Sequence, residues 1–213
     1  MKIKNWMTAD PITVTPETLI IDAKAIMKEH NIRRLPVVDK KGKLVGIVTY
    51  RNIIEASPSA ATSLSIHELN YLILKLQVKD VMRKNPITVS PEDSVTDVIL
   101  EGHKKGIGAF PVVDKGKLVG IVTETEIFNA MIHIFGTRAQ SDIIELQNVG
   151  PMDSVGVFRR IAQVLEEMNI PILAMFTLPH RDREGFRVYV RVKSKEIKPI
   201  QKALQKAGFE LGE

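Results

Sequence analysis

The hydrophobic positions in the first part of the chain change period in a fixed order, and they do so twice. Ile12 and Val14 open a short β-rich run, after which Leu19, Ala23, Ile26 and Met27 recur at helical spacing. Two runs rich in β-branched residues follow at 35–38 and 44–48, joined by a glycine-containing turn, which predicts a β-hairpin. Beyond Thr49 the period turns helical again over YRNIIEA. In the second pass the short run holds Ile87 and Val89, the helical face holds Val95, Val98, Ile99 and Gly102, and ETEIFNAMIHIF closes the series. Thr15-Pro16-Glu17 and Ser90-Pro91-Glu92 each supply a hydroxyl, a proline and an early acid, which predicts a helix N-terminus at both places.

The two passes are also related letter by letter. DPITVTPET at 10–18 returns as NPITVSPED at 85–93, and LPVVDK from Leu35 returns as FPVVDK from Phe110, both at an offset of 75. GKLVGIVT is identical at 42–49 and 116–123, where the offset is 74 because DKKGK is one residue longer than DKGK. A single β-α-β-β-α unit has too few strands to cover its helices, whereas two packed face to face close a common core. Between the units, 57–63 is rich in Pro, Ser, Ala and Thr and reads as a loop. Ser65 and Glu68 then form a capping box, predicting a helix to about Gln77 with Leu69, Leu72, Ile73 and Leu76 on its apolar face.

From Ser141 the pattern differs. A strand-like DIIELQNV, a helix over 155–168, strands over 172–178 and 186–192, a helix over 196–206 ending at Gly208, and a final FEL give the order β-α-β-β-α-β. That order implies helices layered on an antiparallel sheet. Phe186, Val188, Val190 and Val192 alternate with Arg187, Tyr189 and Arg191, so one face of that strand is buried.

Composition narrows the function classes. With 44% apolar residues the 213-residue chain can fill a core, and with no cysteine it has no disulfide, thiol nucleophile or thiolate metal site. The net charge of +5 is spread along the chain and aromatics make up 5%, so nucleic-acid binding is disfavoured. MKIKNWMTAD has no apolar h-region and no membrane-length apolar stretch follows, so the expected location is cytoplasmic, with no membrane partner. His30, His67, His103, His133 and His180 form no metal-binding or hydrolase pattern, so no catalytic residue or metal ligand is expected and the chain is read as non-enzymatic.

The candidate chemistry lies at the end of the duplicated octapeptide. Thr49 and Thr123 each stand between an apolar strand and a helix, where a hydroxyl either caps the helix or, with the free N–H groups there, holds an anion. Arg33, Arg34 and Arg51 in the first unit, and Lys104 and Lys105 in the second, could supply positive charge for a phosphate. Arg34 is the strongest of these because it immediately precedes the LPVV strand, with Gly108 taken as its counterpart in the second unit. GIG at 106–108 precedes a strand rather than opening a helix and is no dinucleotide fingerprint.

The duplicated order PITV, helix, hPVVD, GxhVGIVT, helix resembles the tandem CBS-domain pair, or Bateman module, with one motif at 1–56, a loop and linker helix at 57–78 and a second motif at 79–135. The resemblance implies a regulatory module that binds an adenosine compound such as AMP, ATP, NAD or S-adenosylmethionine between its motifs. It carries ribose and phosphate contacts to Thr49 and Thr123 and to the residues three further on, where the family's usual Asp is replaced by Asn52 and Glu126. The two sites should therefore differ. Adenine contacts fall on Ile12, Thr13, Leu35, Pro36 and Val37, and on Ile87, Thr88, Phe110, Pro111 and Val112; Arg34 and Arg51 complete the set.

The segment 141–213, and VGPMDSVGVFRRIAQVLEEMNIPILAM in particular, resembles an ACT domain, which implies a ferredoxin-like βαββαβ fold. The same resemblance implies side-by-side association, with Asp153, Ser154 and Gly156 at the loop where such domains hold amino acids. A CBS pair followed by an ACT-like domain is similar to acetoin-utilisation accessory proteins. The expected function is ligand sensing by a homodimer that acts on a regulated protein, with a ligand-free dimeric scaffold as the alternative.

Overall fold

The computed structural model describes residues 1–56, 75–135, 141–147, 149, 155–180, 185–194 and 196–212. They divide into two compact units, Met1–Phe128 and Asn129–Glu213.

The first unit holds the two repeats. In the first, α1 (Ile20–Glu29) precedes the hairpin β2 (Arg34–Val38) and β3 (Leu44–Thr49), which runs into α2 (Tyr50–Ala56). After the short α3 (Val78–Val81), the second repeat places α4 (Val95–Lys105) before β5 (Ala109–Asp114), β6 (Lys117–Thr123) and α5 (Glu124–Ile134), whose residues from Asn129 on fall in the second unit. Both hairpin turns pass through a glycine at positive φ, Gly42 at 76° and Gly116 at 80°, a backbone region that costs side-chain-bearing residues energy. Ala23 and Met27 of the predicted face are buried in one repeat, with Ile20 in place of Leu19, which caps the helix, and Val95, Val98 and Gly102 are buried in the other as the spacing predicts.

Two expectations for the repeats are corrected. The PITV runs do not form strands; each makes one parallel bridge, Val14 to Val37 and Val89 to Val112, beside the hPVV strand. The Thr-Pro-Glu and Ser-Pro-Glu signals do not start helices either. Each closes on itself as a turn, the Thr15 N–H donating to Thr18 Oγ at 3.1 Å and the Ser90 N–H to the Asp93 carboxylate at 2.7 Å. Helix α1 begins instead at Ile20, whose N–H is taken by the Leu76 carbonyl, and α4 at Val95, whose N–H is taken by the Met1 carbonyl.

Those two carbonyls belong to a reciprocal exchange. Thr8–Ala9 (β1), ahead of the first repeat, pairs antiparallel with β6 of the second. Arg83–Lys84 (β4), ahead of the second, pairs with β3 of the first. Ile3 is buried with Val89, Val95, Val98, Phe110, Val112 and Val122 of the second repeat, while Val78 is buried with Val14, Ile20, Leu35, Val37 and Val48 of the first. A Lys4–Glu92 ion pair at 2.7 Å adds to the first arm, and the hydrogen bond from Lys4 holds the Glu92 carboxyl below the usual carboxylate range. Ile47, Ala109 and Ile121 form a small buried cluster where the two hairpins meet. Most of the predicted inter-repeat helix lies outside the described residues, but it does not reach Gln77, which is extended and caps α3.

In the second unit β7 (Asp142–Gln147), α6 (Val157–Glu167), β8 (Ile172–Pro179), β9 (Phe186–Val192), α7 (Lys198–Lys206) and β10 (Glu210–Leu211) follow in the predicted order. The sheet order is β10-β7-β9-β8, antiparallel throughout. Val188, Val190 and Val192 on one face of β9 pack with Ile144, Leu146, Ile161, Leu165, Ile200 and Leu204. On the alternate positions Tyr189 stacks on Phe176 with centroids 5.2 Å apart, and burial, followed by a hydrogen bond with Glu145, pushes its phenol up.

If the exchange holds the first unit together, Ile3→Ala should destabilise it by about 2–5 kcal/mol, the range for a fully buried large-to-small change. Urea unfolding followed by circular dichroism reads this, and a loss below about 0.5 kcal/mol would mark residues 1–9 as an appended tail. Gly102→Ala should also destabilise by about 1–3 kcal/mol despite the better helix propensity of alanine. Its new Cβ would lie 2.7 Å from the Ile107 carbonyl oxygen.

Candidate functional site

Both copies of the octapeptide end where a strand runs directly into a helix, β3 into α2 at Thr49 and β6 into α5 at Thr123. The first N–H groups of a helix have no partners within it. Each threonine meets that need together with the residue three positions on. At the first junction the Asn52 N–H donates to Thr49 Oγ at 3.1 Å. The Asn52 carboxamide oxygen in turn accepts the Thr49 N–H at 3.0 Å and the Thr49 hydroxyl at 2.8 Å. This is a reciprocal capping box.

At the second junction the Glu126 carboxylate accepts the Thr123 N–H at 2.8 Å and the Thr123 hydroxyl, and the Thr125 N–H donates to Thr123 Oγ at 3.2 Å. Thr8, carried over on the exchanged strand β1, donates its hydroxyl to the other Glu126 oxygen at 3.2 Å. Both threonines thus cap their helices, Thr49 by the N–H three positions on and Thr123 by the N–H two positions on, with different chemistry to spare. Asn52 keeps two amide donors and no charge, whereas Glu126 brings a negative charge and only acceptors. The contrast extends along the helices, since the first turn of α2 has no acid and that of α5 has Glu124 and Glu126.

The β-ladders place the remaining candidates. Arg34 lies opposite Thr49, and Ala109 opposite Thr123. Ala109, not Gly108, is therefore the counterpart of Arg34. Gly108 corresponds to Arg33, because the Tyr50 N–H donates to the Arg33 carbonyl as the Glu124 N–H donates to that of Gly108. The offset of 75 that holds for LPVVDK already contains this register. Pro36 and Pro111 are buried in their strands, and their carbonyls accept the Val14 and Val89 N–H groups, which sets the exposed Thr13 and Thr88 beside them.

Arg34 reaches across the repeats. Its Nη2 lies 3.2 Å from Glu124 and 2.7 Å from where a Cβ on Gly108 would stand, so the missing side chain there makes room for it. Arg51 bonds Glu55 at 2.6 Å on its own helix, and Lys105 bonds Glu101 at 2.5 Å. Thr8 and Glu124 were not singled out from the sequence. Glu124 directly follows Thr123 and was open to that reading; Thr8 was not, because only the exchange brings it here. In the second unit Gly156 precedes α6 at φ 87°, while Asp153 and Ser154 lie outside the described residues.

A family model for the CBS domain matches residues 3–59 and 78–133, more than half of the chain. The chain belongs to the CBS-domain family. Its CBS pair resembles that of a Vibrio cholerae protein named for acetoin utilization (AcuB), with 29% identity and a TM-score of 0.55 over 67% of this chain and 98% of that one. A structure of CBSX2 in complex with AMP matches at 27% identity and a TM-score of 0.53 over 62% of this chain and 97% of that one. The CBS pair of protein MJ0100, in complex with 5′-methylthioadenosine and S-adenosyl-L-methionine, matches at 32% identity and 0.52 over 65% and 98%. An inosine-5′-monophosphate dehydrogenase of Korarchaeum cryptofilum is 29% identical over 197 residues, which are 81% of this chain but 38% of the dehydrogenase. The chain thus spans well under half the length of that relative. Among the described residues no helix is long and apolar enough to cross a membrane, and no cluster of His, Asp or Glu could hold a metal ion.

Since the capping box at the first junction satisfies the helix start, Asn52→Ala should lower stability by about 0.5–2 kcal/mol in the absence of any ligand. Glu124→Gln should change it by less than about 1 kcal/mol, because a half-exposed ion pair contributes little. Thermal melts of the two variants beside the unmodified protein read both effects.

Proposed function

We propose that the CBS pair is a sensor of an adenosine compound. The compound is bound between the motifs and its occupancy is passed on through the packing of the two hairpins. The observation that carries this reading is the duplicated strand-to-helix junction, with a polar residue three positions after each threonine beside the hPVV strand. It is supported by what the related CBS pairs hold, AMP in one and 5′-methylthioadenosine with S-adenosylmethionine in the other. In this reading the ribose lies against Thr49 and Asn52 or against Thr123 and Glu126. The adenine then meets the backbone near Thr13 and Pro36 or near Thr88 and Pro111. A ligand shifts the balance between two packings only by the difference in its affinity for them.

The second unit, whose element and sheet order are those of a ferredoxin-like βαββαβ layer, is assigned as an ACT-type domain. Its role in this reading is association into a homodimer, together with the CBS pair, and presentation to a regulated protein, in acetoin metabolism by analogy with the AcuB-named relative. Gly156, at the start of α6, marks where an amino acid would sit, together with Asp153 and Ser154. A second reading, a dimeric scaffold without a ligand, draws on one observation: both threonine hydroxyls are already engaged within their own capping boxes.

Thermal shift and calorimetry with AMP, ATP, NAD, S-adenosylmethionine and 5′-methylthioadenosine separate the two readings. A compound at 100 times its dissociation constant should add about 2.7 kcal/mol of stability. No response at millimolar concentration to any of them would favour the scaffold. Where binding occurs, Thr49→Ala and Thr123→Ala should weaken it unequally.

A further inference from the structure

The exchanged strands bring unlike side chains to the two junctions. Thr8 stands opposite Ile121 in the β1–β6 ladder, and Arg83 stands opposite Ile47 in the β4–β3 ladder. Ile47 and Ile121 hold the same place in the duplicated octapeptide, so Arg83 occupies in the first repeat the position that Thr8 occupies in the second. Alternation along an extended chain fixes the face on which it stands. Met82, whose backbone is extended, packs against the core of the first repeat, so Arg83 beside it stands on the other face of the sheet.

That face is turned to the second repeat. Leu35, Val37 and Val48 are buried in the core of their own repeat, which leaves Arg34, Pro36, Ile47 and Thr49 on the opposite side, where Ile47 is buried with Ala109 and Ile121. In the sheet order β2-β3-β4, Arg34 and Arg83 flank the end of β3 from its two sides. Arg34 is paired with Glu124, whereas Arg83 is exposed and has no ion-pair partner among the described residues. The second repeat sets Glu126 3.2 Å from Thr8, and the first has Asn52 in the place of that acid. A carboxylate there would engage a guanidinium, while a carboxamide leaves its charge uncommitted.

Resting on the adenosine-sensing reading, we propose that Arg83 is a ligand-contacting residue of the first junction and holds the phosphate of an adenine nucleotide whose ribose lies against Thr49 and Asn52. A monoester phosphate carries a charge of about −1.5 to −2 near pH 7, and its oxygens match the paired N–H groups of a guanidinium. The group arrives on β4, ahead of the second repeat, so the first junction is complete only once the exchange has been made.

The test is calorimetry with AMP and adenosine on the full chain and on Arg83→Gln and Lys84→Gln. Lys84, one position on, stands on the other face of β4, so the second substitution removes the same charge from a place that the junction does not use. Arg83→Gln should weaken AMP binding by about tenfold or more, the factor for one charge-assisted hydrogen bond, and adenosine binding by less than about twofold. Lys84→Gln should change either by less than about twofold. The difference between Arg83→Gln and the unmodified protein toward AMP should shrink as salt is raised. Melting curves check that both variants remain folded. An AMP affinity no lower in Arg83→Gln than in Lys84→Gln, an equal loss for adenosine, or binding of adenosine without AMP overturns the role of Arg83 and leaves adenosine sensing intact. Failure of both compounds to bind overturns both.

Discussion

The first unit depends on an exchange of segments between its repeats. Ile3 completes the core of the second repeat and Val78 that of the first, and in each case the arriving segment also supplies the carbonyl that takes the first N–H of the long helix, Met1 for Val95 and Leu76 for Ile20. Apolar burial and backbone hydrogen bonding therefore favour the same pairing. The strands that follow, β1 and β4, lie along the inner strand of the other repeat, with Met7 against Gly120 and Met82 against Gly46 at approaches that a β-carbon would obstruct. Only after this is the polar chemistry placed. Thr8 reaches Glu126 because the exchange has already set β1 beside β6.

Much of this was legible in the residues. The hairpins, the helices and the element order of the second unit follow from apolar period and turn chemistry, and Thr49 and Thr123 were found from their place between strand and helix. The exchange was not found, although its signal is present: Ile3, Lys4 and Met7 match Val78, Lys79 and Met82 at the same offset of 75. A repeat states that two segments are alike and leaves open which copy each one serves. The helix starts were misplaced for a related reason. Pro16 and Pro91 satisfy local rules for a first helical turn, but the preceding residues close their turns internally, and the true starts are completed by carbonyls from distant residues. Arg34 was paired with Gly108 rather than Ala109 by a slip of one position, and in a hairpin that slip moves a side chain to the opposite face.

The junctions show how a near-identical framework carries unlike chemistry. The strand, the threonine and its bonds to the residue three positions on are shared, while the helix N–H that the threonine takes is that of Asn52 in one copy and of Thr125 in the other. Asn52 and Glu126 each commit one oxygen to the threonine. What remains is an amide in one case and a charge in the other, and the Arg34–Glu124 pair ties those two environments together.

The crossing of the arms also bears on how such a molecule can be divided. A chain carrying only one repeat would hold an incomplete core and a free arm suited to another molecule's core, and it would close only against a second copy, at a cost that depends on concentration. Placing both copies on one chain replaces that encounter with a tethered one at high effective concentration. The two repeats are thus a dimer made internal, and a cut between them would return the problem of assembly to chance meeting in solution.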